Sequence, residues 1–315
     1  MNTMENIYDV AIIGAGPAGL SASIYASRYK LRNIVFGKQM GGTITEAHKV
    51  CNYPGLDDIT GLELGSKMYE QARNYGAETS FESIVNIKKE GDLFKLETDT
   101  KREILAKTIV LATGTKRNKL AVPGEDEYLG KGVSYCATCD AMFYKNKVVG
   151  VVGGSNAATM AATMLADIAK QVYIIYRGTA LRGEPAWIED VKSKENIEVI
   201  LTTVVTAIEG NETVERVKLS KEFNDSQYLN IDGLFIEIGS EPNADLPNKL
   251  GVALDEENYI IVKDDQSTSI DGVWAAGDAT TNSNKLQQVA TAVGEGSVAA
   301  NSIYSYLKNI SSSNY

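Results

Sequence analysis

The segment IYDVAIIGAGPAG, residues Ile7–Gly19, decides the fold of this 315-residue chain. Its first seven residues are rich in β-branched side chains and stop at a glycine, which predicts a short buried strand, Ile7–Ile13. The pattern G-x-G-x-x-G follows at once. In a turn between a strand and a helix, Gly14 permits the tight bend, Gly16 lets the backbone approach a pyrophosphate, and Gly19 allows close helix–strand packing.

A helix and a second strand complete this β-α-β unit. Alanines recur every four residues from Ala18, which gives the predicted helix, 20–30, one face of small residues for packing on a sheet. The N-terminus of that helix offers unpaired N–H groups and partial positive charge to a phosphate. A strand at Asn33–Phe36 follows. The acidic ribose ligand expected about twenty residues after the glycines is replaced by Phe36-Gly37-Lys38.

The same order of elements recurs in the middle of the chain. Val148–Val152 predicts a strand, an alanine-rich helix extends to Lys170, and Val172–Tyr176 predicts another strand. Between the first strand and the helix lie Gly153, Gly154, Ser155, Asn156 and Ala157. The sequence therefore contains two dinucleotide-type units.

Two further strands that end in glycine turns, within Thr108–Gly114 and Gly272–Asp278, are assigned to the first unit. Proline and glycine at 123–124 and 239–243 disfavour continuing helix or strand and bracket an inserted domain. We expect an α/β fold of two Rossmann-like nucleotide-binding domains of the three-layer ββα type, the second inserted into the first. The predicted outer domain comprises 1–118 and 245–315, and the predicted middle domain comprises 119–244.

The composition, 43% hydrophobic and 23% charged, is typical of a folded globular protein. A formal charge of −10 argues against a nucleic-acid partner, and the basic run 116–119 is interpreted as a solvated edge. The apolar stretch Val10–Ile13 is too short for a signal peptide or a membrane span. We expect a cytoplasmic protein with no membrane partner.

The chain has three cysteines, too few for the disulfide framework of a secreted chain of this size. Cys136 and Cys139 form a C-x-x-C pair, which fits half a zinc site or a dithiol/disulfide couple. No second cysteine pair exists and the only histidine, His48, is remote in sequence, so the redox interpretation is favoured. One thiolate attacks while the other resolves the mixed disulfide.

Asp140 and Cys51 each have a structural and a chemical interpretation. Asp140, next to Cys139, is interpreted as a proton donor or acceptor for the thiols, and the alternative is a helix cap or turn residue. The lone Cys51 is expected to be a small buried hydrophobic residue without a catalytic role.

The motifs, taken in order, resemble the low-molecular-weight thioredoxin reductases of bacteria and archaea over nearly the whole chain. A cysteine pair just before the second glycine loop distinguishes that family from glutathione-reductase-like enzymes, whose pair lies early in the chain. The segments that carry the resemblance are Gly14–Gly19, Gly41-Gly42, Asn52-Tyr53-Pro54-Gly55, Ala112-Thr113-Gly114, Cys136–Asp140 and Ala276-Gly277-Asp278.

The resemblance implies that the outer domain binds FAD. Asp278 is expected on the ribityl or phosphate portion, Gln288–Ala290 near the isoalloxazine, and Gln287–Leu307 as the family's closing helix. The residues expected to bind FAD are Gly14, Gly16, Pro17, Ala18, Gly19, Gly41, Gly42, Thr43, Asn52, Ala112, Thr113, Gly114, Gly277, Asp278, Gln288, Val289 and Ala290.

The resemblance also implies the roles of the redox residues. Cys139 is expected to face the flavin, Cys136 to attack the disulfide of thioredoxin or a similar small redox protein, and Asp140 to supply a proton to the leaving thiolate. Family members are homodimers whose middle domain rotates between two arrangements, so a homodimer is expected here as well.

The second nucleotide site departs from the family's pattern. Ser155 replaces the middle glycine of G-x-G-x-x-A, and the family's His-Arg-Arg is Tyr176-Arg177-Gly178 here, so one expected cation is absent. Arg177 and Arg182 remain as candidates for holding the 2′-phosphate of NADPH, with Gly153–Ala157 as the pyrophosphate loop. Both NADPH and reduced ferredoxin stay open as electron donor, because the eroded second motif is similar to that of family members that use ferredoxin or another non-nicotinamide donor.

The same scaffold is also compatible with other functions. A ferredoxin–nicotinamide reductase normally has no cysteine pair, and the peroxiredoxin-reducing relative carries an extra N-terminal thioredoxin-like region not found in this sequence. A flavin-bound sensor without catalysis is a third class. The polar tail 311–315 is interpreted as a frayed terminus, with stacking of Tyr315 on the flavin as the alternative.

Overall fold

The computed structural model describes residues 7–313. The strands are β1 (Ile7–Ile13), β2 (Asn33–Phe36), β3 (Glu78–Ser80), β4 (Ile84–Glu90), β5 (Leu93–Thr98), β6 (Glu103–Leu111), β7 (Thr115–Arg117), β8 (Val133–Ser134), β9 (Val148–Val152), β10 (Gln171–Ile175), β11 (Ile197–Ile200), β12 (Val205–Gly210), β13 (Val214–Phe223), β14 (Ser226–Asn230), β15 (Gly233–Ile236), β16 (Ser240–Pro242) and β17 (Val273–Ala275). The α-helices are α1 (Pro17–Arg28), α2 (Gly61–Asn74), α3 (Ala137–Asp140), α4 (Asn156–Ala166), α5 (Pro185–Ser193), α6 (Asp245–Leu250) and α7 (Val289–Ser313).

The chain divides into two compact units. The residues before Arg117 and after Ser240 form one, and Arg117–Ser240 form the other. The first unit has a sheet of order β3-β2-β1-β6-β5-β4, in which β17 also pairs with β6. Because β1 is parallel to both β2 and β6, the turn that follows β1 lies at the carboxyl edge of parallel strands, where open α/β sheets bind ligands.

Helix α1 follows that turn and packs on α7. It begins at Pro17, which suits the first helical position because proline has no N–H to leave unpaired. A Cβ atom on Gly296 of α7 would lie 2.1 Å from the backbone oxygen of Ala18. The two helices therefore approach as closely as their backbones allow, through residues without large side chains.

The second unit repeats the nucleotide-binding architecture. Its parallel sheet has the order β11-β10-β9-β15-β8, and β9 is paired with both β10 and β15. A separate antiparallel sheet, β12-β13-β14, packs its apolar residues into a common core with β9 and β15. The expected α/β fold with two Rossmann-like domains is confirmed. The exact domain boundaries stay a prediction.

The predicted strands at 7–13, 33–36 and 148–152 have the bounds found in the structure, whereas the predicted helix bounds differ. The helix expected over 20–30 begins three residues earlier and ends at Arg28, because Lys30 takes a left-handed backbone with φ of 62°.

Three other predicted bounds are shifted. The helix expected to reach Lys170 ends at Ala166, since the N–H of Lys170 already bonds the backbone oxygen of Lys147 at the entry to β10. The strand expected at 172–176 is β10, one residue earlier. The closing helix, expected at 287–307, is α7. Within residues 7–313, no helix combines the length and the apolar character needed to cross a membrane.

Candidate functional site

The first glycine loop is built by contacts that exclude side chains. Gly14 has φ of 116°, and a Cβ atom there would lie 1.8 Å from the backbone oxygen of Ala112. A Cβ atom on Gly19 would lie 1.9 Å from the backbone oxygen of Gly14. Gly16, by contrast, has no heavy atom nearer than 4.0 Å to the corresponding point. The loop is therefore tight at its base and open at Gly16, where α1 begins.

Two other predicted segments lie against this loop. The N–H of Gly41 bonds the backbone oxygen of Ala15 at 2.8 Å, and a Cβ atom on Gly42 would be 2.7 Å from the Cα of Gly16. The exposed Thr43 follows in a short 3-10 helix. On the other side, the N–H of Ala112 bonds the backbone oxygen of Ile13 at 2.8 Å.

Hydrogen bonds connect further predicted residues within the same unit. The hydroxyl of Thr113 donates to the backbone oxygen of Asn243 at 3.1 Å, and the N–H of Asn243 bonds the oxygen of Gly114 at 2.9 Å. Farther along the chain, the side-chain amide of Asn52 donates to Gln288 at 2.8 Å. Gln288 immediately precedes the first turn of α7, which begins with Val289 and Ala290. The structure thus brings Asn52 to the start of α7.

The segment Gly277-Asp278 reaches the first turn of α1. Gly277 has φ of 84°, and a Cβ atom there would lie 2.9 Å from the Cβ of Ala18. Asp278 is half-buried, and no residue in the described part of the chain donates a hydrogen bond to its carboxylate. Burial, followed by the charge of Glu295, raises the pKa of Asp278 to about 6. The site therefore holds a half-buried carboxylate to which no residue of 7–313 donates a hydrogen bond.

Cys136 and Cys139 form a disulfide with a Cα–Cα separation of 5.3 Å. Their sulfurs are bonded to each other, so the zinc alternative is wrong for this pair. Cys136 is half-buried and precedes α3, and its sulfur accepts the backbone N–H of Cys139 at 3.2 Å. The hydroxyl of Ser134 accepts the N–H of Cys136 at 3.0 Å. Cys139 is exposed.

Asp140 ends α3, and its backbone N–H bonds the oxygen of Cys136 at 3.2 Å. Its side chain makes no cap bond to the helical turn that follows. Instead it lines a cavity of about 350 Å³ together with Tyr144 and Lys147. Burial, followed by the charge of Asp140, raises the pKa of Tyr144. Asp140 thus lies next to the disulfide in sequence and lines this cavity, and its role as a proton carrier stays a prediction.

Cys51 is exposed, so the prediction that it is a buried hydrophobic residue is wrong. It lies in a loop where Lys49 pairs with Asp58 at 3.1 Å, and the polarity of that loop explains why the cysteine is not enclosed. The absence of a catalytic role for Cys51 stays a prediction.

The second glycine loop repeats the bonding of the first. The N–H of Gly153 bonds the last residue of β10 at 3.1 Å, as the N–H of Gly14 bonds the last residue of β2 at 2.8 Å. Gly153 has φ of 146°, and a Cβ atom there would lie 2.1 Å from the oxygen of Glu237. Ser155 caps α4 with φ of −100° and ψ of −173°, and its side chain makes no cap bond.

The remaining residues of the second site lie around this loop. The ring of Tyr176 packs on Gly154, where a Cβ atom would be 2.6 Å from the ring. Arg182 donates its backbone N–H to the oxygen of Gly154 at 2.6 Å, and its guanidinium carbon lies 5.9 Å from the centre of the Tyr176 ring. Arg177 and Arg182 are exposed, and neither makes an ion pair within residues 7–313. Asn156 is bonded to Glu184, and Ala157 continues α4.

A family model described as pyridine nucleotide-disulphide oxidoreductase matches residues 8–296. The chain belongs to this family. It is 38% identical over 314 residues to a thioredoxin reductase from Peptoclostridium acidaminophilum, with 97% of this chain and 98% of that protein covered.

Two solved structures of the family extend the comparison. The thioredoxin reductase of Lactococcus lactis, described as in the FR conformation, matches with a TM-score of 0.91 at 33% identity, covering 96% of this chain and 99% of that one. A ferredoxin-flavin thioredoxin reductase from Clostridium acetobutylicum matches with a TM-score of 0.52 at 35% identity, with the same coverage. The chain is thus a flavin-dependent oxidoreductase of this family, and its cofactor is FAD.

The residues present fit that cofactor. The loop at Gly14–Gly19 leaves open space at Gly16 in front of a helix N-terminus that has no acidic residue in its first turn, which suits a pyrophosphate. Since no residue of 7–313 donates to the carboxylate of Asp278, this group is suited to accept hydroxyl groups of a ribityl chain.

The sequence interpretation missed Glu295. Its buried carboxylate accepts the N–H of Gly277, the residue before Asp278, at 2.7 Å. The available signal was a glutamate between two glycines, Gly294 and Gly296, inside a predicted helix, because glycine in a helix interior is unfavourable unless close packing requires it.

Proposed function

We propose that the chain is a thioredoxin reductase, in which electrons pass from NADPH through FAD to the disulfide Cys136–Cys139 and on to thioredoxin. The observation that carries this proposal is a disulfide followed by Asp140 in the same unit as a second glycine loop that precedes a helix. The thioredoxin reductases reported above are similar over nearly their full length, which supports the substrate class.

The proposed FAD site is the loop Gly14–Gly19 with Gly41–Thr43 and Ala112–Gly114 around it. The amides at the start of α1 hold the pyrophosphate, and Asp278 accepts a hydroxyl of the ribityl chain. Asn52 and the start of α7, Gln288–Ala290, are proposed to lie near the isoalloxazine, as the resemblance implies. When bound, FAD takes up two electrons and passes them to the disulfide.

The reduced cysteines then act as a dithiol. Cys136 is proposed as the attacking thiolate, because the N–H of Cys139 that reaches its sulfur stabilises negative charge there. A bond forms between Cys136 and one thioredoxin sulfur while the thioredoxin disulfide breaks, and the leaving thiolate takes a proton from Asp140. The Cys139 thiol then passes its proton to the Asp140 carboxylate and attacks the Cys136 sulfur, which restores the disulfide and releases the second thioredoxin thiolate. That thiolate takes its proton from water. Thioredoxin gains two electrons and two protons.

NADPH is the donor that the second site supports best. Ser155 has nearly the same backbone dihedral angles as Gly16 in the first loop. The backbone amides at the start of α4 therefore have the same orientation relative to their helix as those at the start of α1. Arg177 and Arg182 are exposed without ion-pair partners in the described chain, which suits them to the 2′-phosphate.

Reduced ferredoxin is the second candidate donor. Gly178 stands where a further arginine is expected, Ser155 narrows the loop, and a ferredoxin-flavin thioredoxin reductase is among the similar structures. The cytoplasmic location and the homodimer stay predictions. The proposed stacking of Tyr315 falls outside the described residues.

The test is reduction of thioredoxin by the purified full chain with NADPH. Cys139→Ser is expected to abolish thioredoxin reduction while FAD stays bound and reducible by NADPH. Cys51→Ser is the matched control and is expected to keep full activity. Thioredoxin reduction by the Cys139→Ser variant at the wild-type rate would contradict the proposal.

A further inference from the structure

Glu295 is a buried carboxylate in the interior of α7, with 6% of its surface exposed. Its Oε2 accepts the backbone N–H of Gly277 at 2.7 Å and lies 3.1 Å from the hydroxyl of Thr280. Its Oε1 accepts the hydroxyl of Ser283 at 2.6 Å. These donors satisfy both oxygens of the Glu295 side chain and fix its position inside the unit.

The turn that Glu295 holds is fixed from a second side. Gly277 packs on Ala18 in the first turn of α1, and Gly296, the residue after Glu295, packs on the backbone of Ala18. The three elements thus meet at one alanine. Movement of the carboxylate would displace the turn from the N-terminus of α1.

Asp278 is the next residue after this turn and contrasts with Glu295. Glu295 has donors to both oxygens, whereas no residue in the described chain donates to Asp278. The proximity of the two carboxylates is seen in the pKa of Asp278, which burial and then the charge of Glu295 raise to about 6.

We propose that Glu295 is a positioning residue for FAD, which holds the turn Gly277–Thr280 and, by its charge, makes the unpartnered Asp278 depend on hydroxyl donors of the ribityl chain. The inference rests on the proposed FAD site. It predicts that FAD affinity rises with pH, because only the ionised form of Asp278 accepts a charge-assisted hydrogen bond from a hydroxyl group.

Other groups near Asp278 do not titrate in the same range. Tyr259 faces Asp278, and burial above all raises its pKa, so it stays neutral. Lys285, which faces Tyr259, is paired with Asp255 at 2.8 Å and with Glu257, and the hydrogen bonds to these carboxylates raise its pKa. The charge that acts on Asp278 near neutral pH is therefore that of Glu295.

The experiment measures FAD retained by the purified holoenzyme. Free flavin is separated by ultrafiltration after dilution, and the Kd for FAD is determined from about pH 5 to about pH 8, a range that brackets the Asp278 transition. The wild type is compared with Glu295→Gln, Ser283→Ala and Asp278→Asn. Glu222→Gln, an exposed glutamate in the other unit, is the matched control for loss of one charge.

Each variant has a distinct expected result. The wild-type Kd should fall as pH rises through about 6, and Asp278→Asn should lose this dependence. Glu295→Gln should weaken FAD binding about tenfold at the highest pH, since a charged hydrogen-bond acceptor is lost, and should move the transition to lower pH. Ser283→Ala keeps the charge, so it should weaken binding about threefold without moving the transition. Glu222→Gln should match the wild type.

The outcomes separate two failures. If the wild type binds no FAD, the proposed FAD site fails and the inference fails with it. If the wild type binds FAD and Glu295→Gln has the same Kd and transition, only the inference on Glu295 is overturned. If Glu295→Gln does not fold, Ser283→Ala becomes the test of the role proposed for Glu295. A Kd for FAD equal to that of the wild type in this variant would then overturn the inference.

Discussion

Ser155 repeats the backbone conformation of Gly16. Ser155 has φ of −100° and ψ of −173°, and Gly16 has φ of −80° and ψ of −175°, each at the residue that precedes a helix after a glycine turn. The serine is therefore not strained. What it adds is a side chain at the point where a pyrophosphate approaches the backbone.

This relationship gives the first prediction. Ser155→Gly is expected to lower the KM for NADPH severalfold, roughly by the effect of one relieved close contact, with kcat unchanged. Ser155→Ala keeps the Cβ atom and removes the hydroxyl, so it should keep the wild-type KM. Steady-state kinetics with saturating thioredoxin give both values. A higher KM in Ser155→Gly would show that the hydroxyl binds the phosphate.

Arg182 provides the second prediction. Its side chain lies over Tyr176 and is not paired with an acid in the described chain, so Arg182→Gln should weaken NADPH binding about tenfold by loss of a charge-assisted bond. NADH, which has no 2′-phosphate, should bind the variant and the wild type equally. Equilibrium titrations with the two oxidised nucleotides measure this. Arg216→Gln, in the antiparallel sheet, is the control. Equal losses for both nucleotides would contradict the assignment.

Two glycines of α7 form a matched pair for the third prediction. A Cβ atom on Gly296 would lie 2.1 Å from the oxygen of Ala18, whereas nothing lies within 4 Å of the corresponding point at Gly294. Gly296→Ala is expected to lower the free energy of unfolding by about 2 kcal/mol through forced separation of α1 and α7. Gly294→Ala should raise it by about 0.5–1 kcal/mol, because alanine is the better helix former. Denaturant unfolding measures both.

Asp278 gives the fourth prediction, on pH and stability. Its pKa is raised from 3.8 to about 6, so the folded state binds its proton more tightly than the unfolded state. The contribution of Asp278 to the stability of the FAD-free protein should therefore fall as pH rises from about 4 to about 6, and the loss should be complete above the folded pKa. Asp278→Asn has no such loss and should be more stable than the wild type near pH 7, by on the order of 3 kcal/mol. The two should converge near pH 4. Thermal unfolding of FAD-stripped protein at both pH values is the measurement.

Much of the fold was readable from the sequence because the decisive elements have strong local signals. The strand at Ile7–Ile13 is a short apolar run ended by glycine, and its bounds are those of β1. The antiparallel sheet β12-β13-β14 was not predicted, because its strands are mixed in polarity and depend on packing against a distant part of the chain. Helix ends were missed for a similar reason, since the bond that ends α4 comes from Lys147.

Only those residues of the candidate site that belong to a recognisable sequence motif could be predicted. The glycines and the cysteine pair can be recognised from their spacing in the sequence. Glu295 does not, because its role depends on hydrogen bonds to Gly277 and Ser283, which no sequence period connects to it. The exposure of Cys51 could not be predicted from the sequence either, since residue type alone favours burial for a free cysteine.

The most direct test of the central claim is anaerobic reduction of the oxidised holoenzyme by NADPH, with flavin absorbance and free thiols followed together. We predict that an excess of NADPH bleaches the flavin rapidly and raises the number of free thiols by two, because the disulfide takes up two electrons from the flavin before the flavin itself stays reduced. In Cys136→Ser, where Cys139 is already a free thiol, NADPH should produce no further thiols. Bleaching by reduced ferredoxin but not by NADPH would contradict the assigned donor, and flavin reduction without new thiols would contradict the assigned pathway through Cys136–Cys139.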